Sequence, residues 1–142
     1  MFKSILLPID LAQESSWKKV IPAAVKMARE SDAELQVLTV VPDYGMAVVG
    51  SFFPADYEKT AVSQADASLT KFISEQFDAE MKVKGHVHHG TIYKEIIQSA
   101  DSLKCDLIVL ASHRPETRDY LLGPNAARVV RHAKQSVFVI RS

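Results

Sequence analysis

A chain of 142 residues, 47% of them apolar, is long enough to close one hydrophobic core without disulfides or a structural metal. Seventeen basic residues balance seventeen acidic ones, so no net field draws the protein onto nucleic acid or an anionic membrane. The single cysteine, Cys105, excludes an internal disulfide, and its place before an apolar run reads as a small buried hydrophobe rather than a redox centre.

Met1-Phe2-Lys3-Ser4 leads directly into an apolar strand, with no leader-like run and no apolar stretch of membrane-spanning length, so a cytoplasmic protein is expected. Five short segments rich in Val, Ile and Leu read as strands: Lys3 to Ile9, Glu34 to Val41, Lys82 to His88, Asp106 to Ser112 and Ser136 to Arg141. The first and fourth are continuously apolar, which parallel strands covered on both faces require, so they belong at the centre of the sheet.

Helical spacing fills the intervals at Gln13 to Glu30, Ala61 to Phe77, Thr91 to Leu103 and Asn125 to His132. In the second of these, Leu69, Phe72, Ile73, Gln76 and Phe77 make one face. Pro22 predicts a kink or a late start in the first, because an interior proline removes a backbone bond. Strands alternating with helices across short connections define a single-domain, doubly wound α/β fold with right-handed crossovers and helices on both faces. The one long connection, Pro42 to Tyr57, carries Tyr44, Phe52 and Phe53 and reads as a lid or a partner surface.

Open α/β sheets bind ligands beyond the carboxyl ends of their strands, where the strand order reverses. That selects Pro8-Ile9-Asp10, Val40-Val41-Pro42 and the segment Ala111 to Asn125. Asp10 has two compatible readings: a cap on the following helix, or a carboxylate for ribose hydroxyls or a nucleotide-bound metal. The last segment leaves a strand as Ala111-Ser112-His113-Arg114-Pro115 and enters a helix through Gly123-Pro124-Asn125, where first-turn amides and the helix dipole favour an anion. The alternative there is a turn at Gly123 with Pro124 opening the helix.

Other signals read as structural. His86 and His88 share a strand face with His89 beside them, but no third ligand is aimed there, and Gly90-Thr91 begins a helix. His132 suits a helix carboxyl end, and Trp17 suits half-buried packing. Ser112 and His113 are neighbours on a strand end and point to opposite faces, which argues against nucleophilic catalysis. The last strand, Val137-Phe138-Val139-Ile140, presents an apolar edge that pairing with a second copy would cover.

Ile5-Leu6-Leu7-Pro8-Ile9-Asp10, Leu38-Thr39-Val40-Val41-Pro42, Cys105 to His113, Leu121-Leu122-Gly123 and Val137 to Ile140 together resemble the universal stress protein family over nearly the whole chain, residues 1–142. The resemblance implies a five-stranded parallel sheet in the order 3-2-1-4-5 and a two-fold homodimer through the final strand. It also implies ATP, ADP or AMP as a ligand, with Mg2+ as a possible companion ion. Transferred residue by residue, Pro8, Ile9 and Asp10 lie near the adenosine and Val40 or Val41 at the adenine edge. Ala111, Ser112, His113 and Arg114 form one side of the phosphate loop, and Gly123, Pro124, Asn125 and Ala126 the other.

The sequence departs from the family's Gly-x2-Gly-x9-Gly-Ser/Thr loop. Ala111 and Arg114 replace the first two glycines, the last spacer is eight residues, and Pro124 replaces the hydroxyl residue. The run Ser112-His113-Arg114-Pro115 is similar to a distinct group in the family in which nucleotide binding persists. The expected function is thus a stress-response protein that takes an adenine nucleotide as a regulatory ligand and responds to it through a protein partner. A dimeric scaffold without nucleotide and a slow ATPase are the alternatives.

Overall fold

The computed structural model describes residues 1–42, 57–112 and 123–141. Its strands are β1 (Ser4–Pro8), β2 (Glu34–Pro42), β3 (Val83–Gly90), β4 (Leu107–Ser112) and β5 (Ser136–Arg141). The helices among the described residues are α1 (Val20–Ser31), α2 (Tyr57–Gln76), α3 (Ile92–Ser102) and α4 (Gly123–His132), with a 3-10 turn at Glu14–Ser16. All five strands are parallel and lie in the order β3-β2-β1-β4-β5. Tyr44, Phe52, Phe53 and the rest of the long connection between β2 and α2 fall outside the described residues.

Each continuous apolar strand feeds two cores at once, because alternate side chains leave opposite faces of the sheet. Ile5, Leu7, Leu35, Val37, Leu107 and Val109 point toward α1 and α2, where Val20, Ala24, Ala28 and Leu69 meet them. Leu6, Leu38, Ile108 and Leu110 point the other way, onto Ile96 and Ala100 of α3 and Ala126 and Val129 of α4. Leu6, Leu7, Leu38 and Leu110 are fully buried, each stabilising the fold by roughly 1.5–3 kcal/mol relative to exposure. Of the face predicted for α2, Gln76 proves exposed, while Leu69 and Phe77 are buried.

The first helical stretch begins late. Residues 14–16 form the 3-10 turn and α1 starts only at Val20, so Pro22 lies in the first helical turn, where no intrahelical partner is lost. α1 ends at Asp32 in the left-handed region, φ 51°, and Lys104 turns the chain after α3 with φ 55°. Gly90, at φ +148°, joins β3 to α3; a Cβ there would stand 3.2 Å from Cγ of Glu95. Only glycine takes that backbone region without strain.

Candidate functional site

The strand order reverses at β1 and β4: β2 and β3 extend to one side and β5 to the other. Their carboxyl ends therefore open the crevice that this fold class uses for ligands. Beyond Pro8 the ladder continues by one bond, Ile9 N–H to the Leu38 carbonyl at 2.9 Å, and the chain then turns at Asp10. Pro8, Ile9 and Asp10 are all buried. Across the reversal, β4 ends at Ala111, which is buried, and Ser112, which is half-buried.

Asp10 does not cap α1, which begins ten residues later; that reading of the sequence is corrected. Its Oδ1 accepts the Ala12 amide at 3.0 Å, within the turn that follows β1. Ser16 staples this turn: its hydroxyl accepts the Asp10 amide at 2.9 Å and lies 2.9 Å from the Asp10 carbonyl and 2.7 Å from the Gln13 carbonyl, either of which can take its proton. The 3-10 turn in turn packs against β4. Burial pushes the Asp10 carboxyl above the ordinary aspartate range, and the Ala12 amide opposes that shift. Oδ2 has no hydrogen-bond partner among the described residues. A buried carboxyl with one oxygen to spare fits a ribose hydroxyl, which could donate to it.

On the other side, α4 begins at Gly123, so Gly123, Pro124, Asn125 and Ala126 occupy its first turn. Three of them have an amide there; Pro124 has none. Ala126 is buried in the α3–α4 core, so only its backbone can face a ligand. The Asn125 side chain turns to α3, where Oδ1 accepts the Tyr93 amide at 3.2 Å. One helical turn further on, the Arg128 guanidinium stands over the Tyr93 ring, 5.2 Å from its centroid, and His132 lies beside the same ring at 6.1 Å. His113 and Arg114 fall outside the described residues. Val40 is buried against α3 and α4, and Val41 is half-buried near the end of β2.

The strand histidines serve the fold. His86 donates from Nε2 to Gln36 Oε1 at 2.6 Å, and Gln36 Nε2 donates to Glu34 Oε2 at 3.2 Å. Burial, with His88 and Lys84 nearby, holds the His86 imidazole below its ordinary pKa, so it sits neutral in this chain of bonds. His88 Nδ1 lies 3.3 Å from Glu95 Oε1 and 3.1 Å from Ser99 Oγ. Both partners use the same ring nitrogen and Ser99 is fully buried, so this trio lacks the geometry of a hydrolytic triad, which needs one partner on each nitrogen. No group of three metal-ligating side chains occurs among the described residues.

The structure thus brings the ends of β1 and β4 side by side and opens α4 beyond the sheet on the α3 side. Sequence reasoning missed the Ser16 staple and the Asn125 cap. The partners in these contacts stand 6 and 32 residues apart, and no local pattern announces either one.

A five-stranded parallel sheet in the order β3-β2-β1-β4-β5, with helices on both faces, belongs to the class of doubly wound α/β domains. The chain matches the universal stress protein family over residues 1–141, and it belongs to that family. Universal stress protein G of Shigella flexneri is 30% identical over 145 residues, covering 99% of this chain and 100% of the relative. Universal stress protein A homolog 1 of Coxiella burnetii is also 30% identical, over 98% of this chain and 96% of its own length.

Among solved structures, hypothetical protein MJ0577 superposes with a TM-score of 0.81 at 22% identity, covering 100% of this chain and 97% of that one. A universal stress protein crystallised in complex with cAMP gives a TM-score of 0.60 at 19% identity, covering 99% and 97%. At those identities the two structures establish the fold alone. Among the described residues, no helix is long and apolar enough to cross a membrane.

Proposed function

We propose that this universal stress protein binds ATP, ADP or AMP in the crevice between β1 and β4 and uses the nucleotide as a regulatory ligand rather than a substrate. The observation that carries the reading is Asp10, a buried carboxyl at the strand reversal whose Oδ2 has no hydrogen-bond partner among the described residues. Oδ2 is not among the buried unpartnered atoms, so solvent reaches it, and a ribose hydroxyl could donate to it in place of water. The first-turn amides of α4 suit the phosphates, with Arg114 and His113 as the cationic side of the loop and Mg2+ as the counter-ion. Pro8, Ile9, Val40 and Val41 would form the walls around the adenosine, with Ala111 and Ser112 on the phosphate-loop side.

The relative crystallised with cAMP supports an adenine nucleotide as the ligand class. Any hydrolysis is expected to be slow, the nucleotide serving as a regulatory ligand. The dimer proposed through β5 would cover Phe138, which is 44% exposed on a strand paired on one side only. The setting proposed is the cytosol, and the output is a nucleotide-dependent affinity for a protein partner.

Calorimetric titration of nucleotide-free protein with ATP and Mg2+ tests the reading. Micromolar or tighter binding that weakens at least several-fold in Asp10→Ala supports it; silence at millimolar ATP removes it. A nucleotide-free scaffold is the second reading, favoured by Pro124, which deletes an amide donor from the first turn of α4.

A further inference from the structure

Every helix leaves its first amides without partners, and α3 leaves them without a cap of its own: Thr91, at its N-cap position, makes no side-chain capping bond. The missing acceptor comes from another helix. Asn125 Oδ1 takes the amide of Tyr93, the second residue of α3, while the backbone of Asn125 lies in the first turn of α4. Arg128 repeats the attachment one turn later through the face of the same Tyr93 ring. Tyr93 is thus gripped twice, at its amide and at its ring, by residues three apart on one side of α4.

We propose that Asn125 is a positioning residue of the nucleotide site, which locks the amino end of α4 onto the amino end of α3 and so sets where the first-turn amides of α4 point. This rests on the nucleotide reading given above, and it assigns the side chain of Asn125 a task away from the ligand. The phosphates would meet backbone N–H groups, whose direction a short helix cannot fix alone. α4 has ten residues and holds the core chiefly through Ala126 and Val129. A swing of its first turn would misdirect those amides, and hydrogen bonds weaken steeply with misalignment. The same bond makes α3 a recipient: ligand binding that steadies α4 must steady Tyr93 equally, since coupling between two sites is reciprocal.

The test is amide hydrogen exchange by NMR on the full chain, paired with calorimetric titration of ATP and Mg2+, in Asn125→Ala and Asn125→Asp. Aspartate keeps the acceptor for Tyr93 but brings a negative charge. In Asn125→Ala, exchange at Tyr93 and at Ala127 and Arg128 is expected to accelerate at least about fivefold, as for a lost cap. Nucleotide affinity is expected to fall by a similar factor. Asn125→Asp should restore the protection and hold affinity above that of the alanine variant.

Unchanged Tyr93 exchange in Asn125→Ala overturns the proposal. So does an aspartate variant that binds nucleotide more weakly than the alanine variant, since the side chain would then face the phosphates directly. If the unaltered protein gives no heat with ATP, the nucleotide reading falls, while the exchange pattern still decides whether Asn125 joins the two helices.

Discussion

The two ends of the sheet are built on opposite principles. At the amino end, polar groups satisfy one another. The Asp106 carboxylate accepts the Lys3 amide at 2.9 and 3.1 Å and the Ser4 amide at 3.1 Å, tying β4 to β1 before either enters the core. Arg29 meets Asp78 at 2.6 Å, Lys82 meets Asp32 at 3.9 Å, and Asp101 takes both Lys134 and Gln135. The groove of about 250 Å³ beneath α1 is lined by two of these pairs, Arg29 with Asp78 and Lys82 with Asp32, together with Glu80. At the carboxyl end, Asp10 is buried with a single hydrogen bond to its carboxylate, Asn125 caps a helix that is not its own, and the first turn of α4 opens beyond the sheet. The amino end is densely paired, although Gln135 Oε1 there is buried without a partner, whereas at the carboxyl end the buried Asp10 carboxylate accepts one hydrogen bond only.

That contrast can be broken most forcefully at Asp106. Asp106→Ala should lower the free energy of unfolding by about 2 kcal/mol in urea titrations, since hydrogen bonds to a charged acceptor are lost. Nucleotide affinity should stay within twofold; a large change would mean that the two ends are not separable.

Asp10→Asn should act in the opposite direction and by less. Burial holds the Asp10 pKa above its unfolded value, so the folded state prefers the protonated form. The favourable contribution is complete below the unfolded aspartate pKa of about 3.9 and is lost as pH rises through the folded pKa, leaving a penalty at neutral pH. Asparagine removes that penalty while still accepting the Ala12 amide. The urea midpoint of the variant should exceed that of the natural chain at pH 7, and the two should converge in acid. A midpoint that falls at pH 7 would show that the carboxylate stabilises the fold after all.

The smallest effect is expected at Arg29. Its pair with Asp78 is short, but both side chains are more than half exposed, and exposed pairs contribute about 0.2–1 kcal/mol. Arg29→Ala should therefore shift the urea midpoint slightly at low salt and not at all near 1 M salt. A persistent loss at high salt would point to packing by the arginine stem instead.

Much of the fold was legible because its causes are local. Continuous apolar runs at Ile5-Leu6-Leu7 and Leu107 to Leu110 demand cover on both faces, and they stand at β1 and β4, inside the sheet. β5 alternates half-buried and exposed residues along much of its length, as befits an edge. Pro22 signalled a late helix start and received one. The turn after β1 was misread because Asp10 resembles a helix cap in sequence, whereas Ser16 closes a separate loop before α1 can begin. The residues proposed for the nucleotide, Pro8 and Ala111 among them, come from motif position along the chain.

By itself the sequence determined the strands, the alternation with helices, the buried thiol of Cys105 and the family resemblance, because each is written in spacing, side-chain volume or a run of neighbouring residues. Only the tertiary structure decided that Asp106 closes the start of β1 and that Asn125 belongs to α3 as much as to α4. Those bonds join residues as much as 103 and 32 positions apart. Such distances along the chain leave no local trace, because the groups meet only after the sheet has assembled.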